Sequence, residues 1–303
     1  MTSEAPSVDV ESLAVDFSGH TAEELEASVA RAAPIYAEYG VFLARGMFTA
    51  HDYAPIHRDL RRLIELKMRQ TGIEEEPESD GLSRFDDGFT QLNRASREYG
   101  GTIYNAARRV TPVNELAVHP KLTGVARGLM NSETLISNGI IAVRTDQPNE
   151  DTFLFEWHQD YPFIQDSEDG VVFWLALHDV DETNGWLRLI PGSHKLGVLP
   201  VNVTDPQGAG ASRAHSMEIA DTSVADSMAA LNAPVPMGDV LVFNTLLLHA
   251  SNPNRSTRTR WTIQYRYGNF ENERALAKNW PGAMNYGRGF ERTHPEYVAN
   301  LSH

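Results

Sequence analysis

Two residues in the stretch "FLFEWHQDYPF" (153–163) stand out for their chemistry: His158 and Asp160, polar groups two positions apart in an aromatic run. Side chains at i and i+2 of a strand point the same way, so this spacing predicts two ligands on one face. Alone, a His-x-Asp pair is also what a solvated strand end looks like. A third group gives it meaning: "GDVLVFNTLLLHASNPNRSTRTRW" carries His249 at the end of another apolar run. Two histidines and one carboxylate are the facial set that holds Fe(II) and leaves coordination positions open for a co-substrate and O2. Arg260 follows eleven positions after His249. If the chain runs out, turns at "NPNRS" and returns as a hairpin, its guanidinium can clamp a carboxylate near the metal. Ser251, on the face of His249, adds a hydroxyl donor. A metal beside a carboxylate clamp suggests a 2-oxo acid. Arg255, Arg258 and Arg266 compete for the clamp, and alternation puts Thr262, Gln264 and Arg266 on the face of Arg260.

Positioning these groups requires a framework. Residues 21–39 carry apolar residues at helical spacing, with Thr21 and Glu24 set as a capping box and Gly40 as the stop. "VFLARG" reads as a strand, residues 50–70 as a second helix, 72–101 as a long acidic, glycine-rich loop, and 114–131 as a third helix. After Asn138 the chain becomes short β-branched or aromatic runs: "GIIAVRTD", "TFLFEWHQD", "GVVFWLALHDV", "WLRLI", "DVLVFN" and "RWTIQYRYG". Asn184-Gly185 signals a hairpin turn. Helices followed by strands predict an α+β chain with a sandwich or jelly roll, read as one domain over 1–303. The Gly/Ala/Ser/Asp-rich segment 202–236 is either a lid or a surface excursion.

Composition narrows the chemistry. The chain has 303 residues and no cysteine, which excludes disulfides, thiolate metal sites and cysteine nucleophiles. A net charge of −15 opposes nucleic acid and anionic membranes and leans toward a neutral or cationic substrate, although an acidic surface also serves solubility alone. No apolar run approaches the ~18 residues of a membrane span. The polar, acidic N-terminus predicts a cytoplasmic protein.

Taken together, "WHQD" (157–160), "VVFWLALHDVDETNGWLRLIPGSHK" (171–195), "GDVLVFNTLLLHASNPNRS" (238–256) and "RWTIQYRY" (260–267) resemble the phytanoyl-CoA dioxygenase family of Fe(II)/2-oxoglutarate-dependent oxygenases. "YGVFLARGMFTAHDYAPI" (39–56) is similar to the family's opening strand and helix, so the resemblance spans residues 35–270. It implies a double-stranded β-helix (a cupin-like jelly roll) with flanking N-terminal helices. It implies His158, Asp160 and His249 as iron ligands, and Arg260 and Ser251 as holders of 2-oxoglutarate. Trp174 is either beside that co-substrate or a core tryptophan. Some relatives replace the carboxylate ligand by a small residue and halogenate; Asp160 is retained here, which implies oxidation such as hydroxylation of a small metabolite or natural-product intermediate. His194 in "PGSH" is expected to be structural and His178 to be polar surface. Tyr161, Phe163, Asn93, Tyr104 and Arg188 are candidates for the substrate side. Two alternatives stay open: a jelly-roll metalloenzyme that does not use 2-oxoglutarate, and a non-catalytic binding protein on the same fold.

Overall fold

The computed structural model describes residues 8–19, 21–76, 83–137, 142–204, 217–283 and 289–300. Its helices are α1 (Ala22–Tyr39), α2 (Ala50–Thr71), α3 (Phe89–Ala95), α4 (Arg97–Ala107), α5 (Thr111–Leu116), α6 (Pro120–Met130), α7 (Tyr161–Ile164), α8 (Ser223–Asp226), α9 (Glu273–Ala277) and α10 (Phe290–Thr293). The strands are β1 (Ala14–Asp16), β2 (Val41–Arg45), β3 (Leu135–Ser137), β4 (Ala142–Asp146), β5 (Val171–Ala176), β6 (Leu187–Leu189), β7 (Val201–Val203), β8 (Met217–Ile219), β9 (Leu231–Ala233), β10 (Val240–Asn244), β11 (His249–Ser251) and β12 (Arg260–Asn269).

A large sheet of order β1-β2-β10-β5-β12-β3, with β4 also on β12, faces a smaller sheet of order β11-β6-β9. This is the jelly roll. Sequence alternation decides which side chains fill which layer. Phe173 and Leu175 of β5 join Trp261, Ile263, Tyr265 and Tyr267 of β12 in a core beneath the helices, to which α2 contributes Ile56, Leu60 and Ile64. Val172, Trp174 and Ala176 point the other way, into the space between the sheets, with Leu187, Leu189, Leu241 and Phe243. On β12 that inner face carries Arg260, Thr262, Gln264 and Arg266, so the large sheet turns its most polar stripe inward.

Helix α1 begins at Thr21 with the expected capping box and ends at Gly40, whose positive φ of 71° suits a residue without a Cβ. Other elements differ from their reading. The stretch 72–101 is not one long loop, since α3 and the start of α4 form from residue 89 onward. The helix expected over 114–131 is two, α5 and α6. Pro120 keeps His119 extended and opens α6 at its first position. Asn184-Gly185 does not close a hairpin, because β5 and β6 lie in different sheets. The carbonyl of Asp181 instead accepts the N–H groups of Gly185 and Trp186, and the turn carries the chain across. "NPNRS" makes a similar crossing between β11 and β12. The core of segment 202–236 lies outside the described residues. Its flanks form a β7–β8 ladder and supply β9 to the smaller sheet. Among the described residues no helix is long and apolar enough to cross a membrane.

Candidate metal centre

His249 sits on β11, and His158 reaches it through a single antiparallel bridge in which each residue donates its N–H to the other's carbonyl at 3.1 Å. "TFLFEWHQD" is therefore not a strand beyond this bridge. It is a turn that runs into α7. Gln159 fixes the turn from behind. Its buried amide donates to the carbonyls of Gly197 and Leu246, and its oxygen accepts from the N–H of Leu199. With Gln159 anchored outward, His158 and Asp160 are directed inward, as a strand would have directed them.

The three side chains converge. One ligand atom from each of His158, Asp160 and His249 lies within 4.8 Å of the others, and all three residues are buried. Nε2 of each histidine is 3.9 Å from Oδ1 of Asp160. Nδ1 of His158 faces the carbonyl of Glu156 at 2.8 Å, and Nδ1 of His249 faces that of Leu247 at 3.0 Å. A carbonyl only accepts, so each Nδ1 holds the proton and each Nε2 presents its lone pair to the shared space. Burial, with the neighbouring His249, pushes His158 down to about 3; burial also lowers His249. Both rings are neutral, as metal ligation requires. Burial alone would raise Asp160, but the Arg266 guanidinium holds its carboxyl down at about 2. Arg266 donates from Nε to Oδ2 at 2.7 Å and more weakly from Nη2 to Oδ1 at 3.3 Å, and Oδ1 is the oxygen turned toward the histidines. This donor set fits a divalent transition metal.

A second polar cluster lies on the same inner face. Register pairs Arg260 with Asp146 and Thr262 with Arg144 across β12 and β4. Arg260 donates from Nη2 and Nε to Oδ2 of Asp146 at 2.7 and 3.2 Å, and Arg144 donates from Nη2 and Nε to Oδ1 at 2.7 and 2.9 Å. Burial would raise Asp146, but the two guanidiniums hold it well below the usual carboxylate range. Nη1 of Arg260 and Oγ1 of Thr262 are buried without a hydrogen-bond partner among the described residues. Buried donors are rarely left so, and a carboxylate is the group that would satisfy both. The residues present therefore fit a 2-oxo dicarboxylic acid.

The other expected residues divide. Ser251 is buried on β11, two positions past His249. Trp174 pairs in register with Gln264 and Leu241 and points between the sheets. Phe163 packs edge-on against His158, with ring centroids 5.9 Å apart. Tyr104 lies on α4, with the Arg108 guanidinium over its ring at 5.3 Å. Asn93 packs its amide against Gly100 of α4. Tyr161 does not turn toward the metal side. Its hydroxyl donates to Nε2 of His294 at 2.9 Å, in a cluster with Phe290. Arg188 lies on the face of β6 opposite Leu187 and Leu189, stacked on Trp157 at 4.9 Å. His178 accepts the N–H of Trp261 through Nε2, and His194 meets the carbonyl of Ala37 at the end of α1. Of the rival clamps, Arg255 pairs with Asp151, Arg258 with Asp86, and Arg266 with Asp160. Arg144, Asp146 and Phe155 are site residues that the sequence reading does not name. Arg266, named there as a rival clamp on the face of Arg260, holds Asp160 instead.

Residues 36–262 match the family profile described as phytanoyl-CoA dioxygenase. The chain is similar to a probable alpha-ketoglutarate-dependent hypophosphite dioxygenase of Stutzerimonas stutzeri, 24% identical over 257 residues, covering 83% of this chain and 81% of that protein. It is 26% identical over 172 residues to an L-proline trans-4-hydroxylase of Streptomyces griseoviridis, covering 50% of this chain and 61% of that enzyme's length. Among solved structures it resembles the epimerase SnoN in complex with Fe3+, alpha ketoglutarate and nogalamycin RO, with TM-score 0.53, 20% identity, and coverage of 80% and 84%. It also resembles EctD from S. alaskensis with 2-oxoglutarate and 5-hydroxyectoine, with TM-score 0.51, 17% identity, and coverage of 80% and 77%. At these identities the structural likeness is one of fold.

Proposed function

This chain belongs to the phytanoyl-CoA dioxygenase family of Fe(II)/2-oxoglutarate-dependent oxygenases, and from that premise we propose that it hydroxylates an unactivated C–H bond of a small metabolite or natural-product intermediate, releasing succinate and CO2. The observation that carries the reading is the pairing of two neutral histidines and an ionised aspartate with an unsatisfied guanidinium and hydroxyl on the same inner face. Bound iron, with 2-oxoglutarate and O2, supplies the oxidising power.

The protein's own part is to bind, orient and exclude water. His158, Asp160 and His249 hold the metal through Nε2, Oδ1 and Nε2. Arg260 and Thr262 take the distal carboxylate of the co-substrate, with Ser251 as a further hydroxyl and Trp174 as an apolar wall. Phe155 and Phe163, both packed against His158, line the substrate side. Tyr161 and Arg188 are assigned to packing. That relatives are named for hypophosphite and L-proline supports a small-molecule substrate.

Anaerobic absorbance tests this. Native protein with Fe(II) and 2-oxoglutarate should develop the weak visible charge-transfer band of a chelated keto acid. His249→Ala should lose it with the metal, and Arg260→Ala should keep the metal and lose the band. Iron binding with no band in the native protein would move the chain to the metalloenzymes that do not use 2-oxoglutarate.

A further inference from the structure

The strongest unassigned group is Arg144. It lies opposite Thr262 in the β4–β12 register, on the inner face. Its guanidinium rests on the ring of Phe155 at 4.8 Å, and Phe155 tilts against His158 at a centroid distance of 4.8 Å. Nε and Nη2 are taken up by Asp146 and by the carbonyl of Phe153. Nη1 has no hydrogen-bond partner among the described residues, and unlike Nη1 of Arg260 it is not sealed from solvent. One unsatisfied donor is thus buried against the co-substrate side, and a second is open to an arriving ligand.

Charge counting indicates what arrives. The inner wall holds three guanidiniums (Arg144, Arg260 and Arg266) and two carboxylates (Asp146 and Asp160), a net charge of one positive. Fe(II) and dianionic 2-oxoglutarate cancel, so the loaded site keeps that charge. Burying it unpaired is costly, and a monoanion removes the cost. A further cation lies nearby. Arg108 covers Tyr104, α4 packs against β4, and Tyr104 lies within electrostatic reach of Arg144. The chain's −15 favours a neutral or cationic substrate, but the charge at the site is the reverse.

We propose that the substrate carries an oxyanion, a carboxylate or a phosphorus oxyanion, held by Nη1 of Arg144 above Phe155 and beside the metal. This rests on the oxygenase reading and names the substrate class of the same site.

The test titrates acetate, phosphite and methylammonium, at matched ionic strength, into anaerobic protein saturated with Fe(II) and 2-oxoglutarate. Calorimetry and the position of the charge-transfer band report binding without turnover. Acetate or phosphite should bind and shift the band, and methylammonium should not. The tighter of the two anions identifies the class. Arg144→Gln should weaken anion binding by about tenfold or more, the loss of a charge-assisted hydrogen bond, with 2-oxoglutarate affinity held within about threefold. Arg144→Lys should restore part of it. The proposal is overturned if neither anion outbinds methylammonium, if Arg144→Gln binds them as the native protein does, or if it loses the 2-oxoglutarate band, which would assign Arg144 to the co-substrate. Absence of the band in native protein before any anion is added would instead sink the oxygenase reading itself.

Discussion

Arg266 donates from Nε to Oδ2 of Asp160 at 2.7 Å, while Oδ1 of the same carboxylate faces both histidine Nε2 atoms at 3.9 Å. Oδ2 takes the short bond from the guanidinium, and Oδ1, which takes only a longer one from Nη2 at 3.3 Å, is the oxygen turned toward the histidines. Partners of this kind fix a ligand's orientation, and their loss typically costs about 10–100-fold in metal affinity. Arg266→Gln should therefore weaken Fe(II) or Co(II) binding by about that factor, with Arg266→Lys intermediate. Direct metal titration, with the Co(II) absorption spectrum as a probe of ligand geometry, measures it. Native affinity and an unchanged spectrum in Arg266→Gln would remove this role.

Asp146 is the carboxylate shared by the buried guanidinium of Arg260 and the partly buried one of Arg144. Removing one partner of a buried ion pair leaves uncompensated charge and costs about 3–5 kcal/mol. Asp146→Ala should destabilise the fold on that scale, whereas Asp146→Asn, which keeps shape and one acceptor, should cost less. Urea unfolding compares the two. A midpoint for Asp146→Ala equal to the native one would mean that solvent already compensates Arg144 and Arg260.

How far the sequence carried is seen residue by residue. His158 and Asp160 were legible from i/i+2 spacing although the strand behind that logic is absent, because a bridge to His249 and the anchoring of Gln159 impose the same alternation. Arg260 was legible from its distance to His249, although the hairpin invoked to return it is a crossing between sheets. Arg144 and Asp146 were not legible as part of the site, and Arg266 was legible only as a rival clamp, not as the partner of Asp160. Polar alternation on a strand looks the same whether its face is solvated or turned into a cavity, and only the second sheet decides. Helices α3 and α4 were hidden by short length and by Gly100 and Gly101. The break between α5 and α6 had a readable cause in His119-Pro120.

Tyr161 directly follows Asp160 in the sequence, but its hydroxyl is tied to His294, whose ring burial and nearby Lys278 hold down at about 4. A neutral Nε2 accepts the phenol proton across the pH range of normal assay. Tyr161→Phe should therefore cost about 0.5–1.5 kcal/mol of stability and leave 2-oxoglutarate binding intact. The two readouts are thermal unfolding and the charge-transfer band. A variant as stable as the native protein but deficient in 2-oxoglutarate binding would return Tyr161 to the site.

Asp166 gives a pH dependence of opposite sign to the histidines. It is buried, both its carboxyl oxygens lack a hydrogen-bond partner among the described residues, and Gly268 and Gly282 press on it so closely that a Cβ at either would collide. Burial pushes it up to about 8, against only the attraction of Arg266. Unfolded, it ionises near 3.8. Between these values the fold keeps a proton that the unfolded chain has released, so this group's contribution falls as pH rises through that window. His158 behaves conversely: stability is lost as pH falls from 6.5 toward 3, where the unfolded chain takes up a proton that the buried ring refuses. Asp166→Asn removes the first effect and keeps the side chain neutral. Its unfolding temperature should exceed the native one at pH 8, by about 2–4 °C for each kcal/mol gained, and the gap should close below about pH 4. Scanning calorimetry at several pH values decides it; a variant less stable than the native protein at pH 8 would show that Asp166 is ionised in the fold and paired with Arg266.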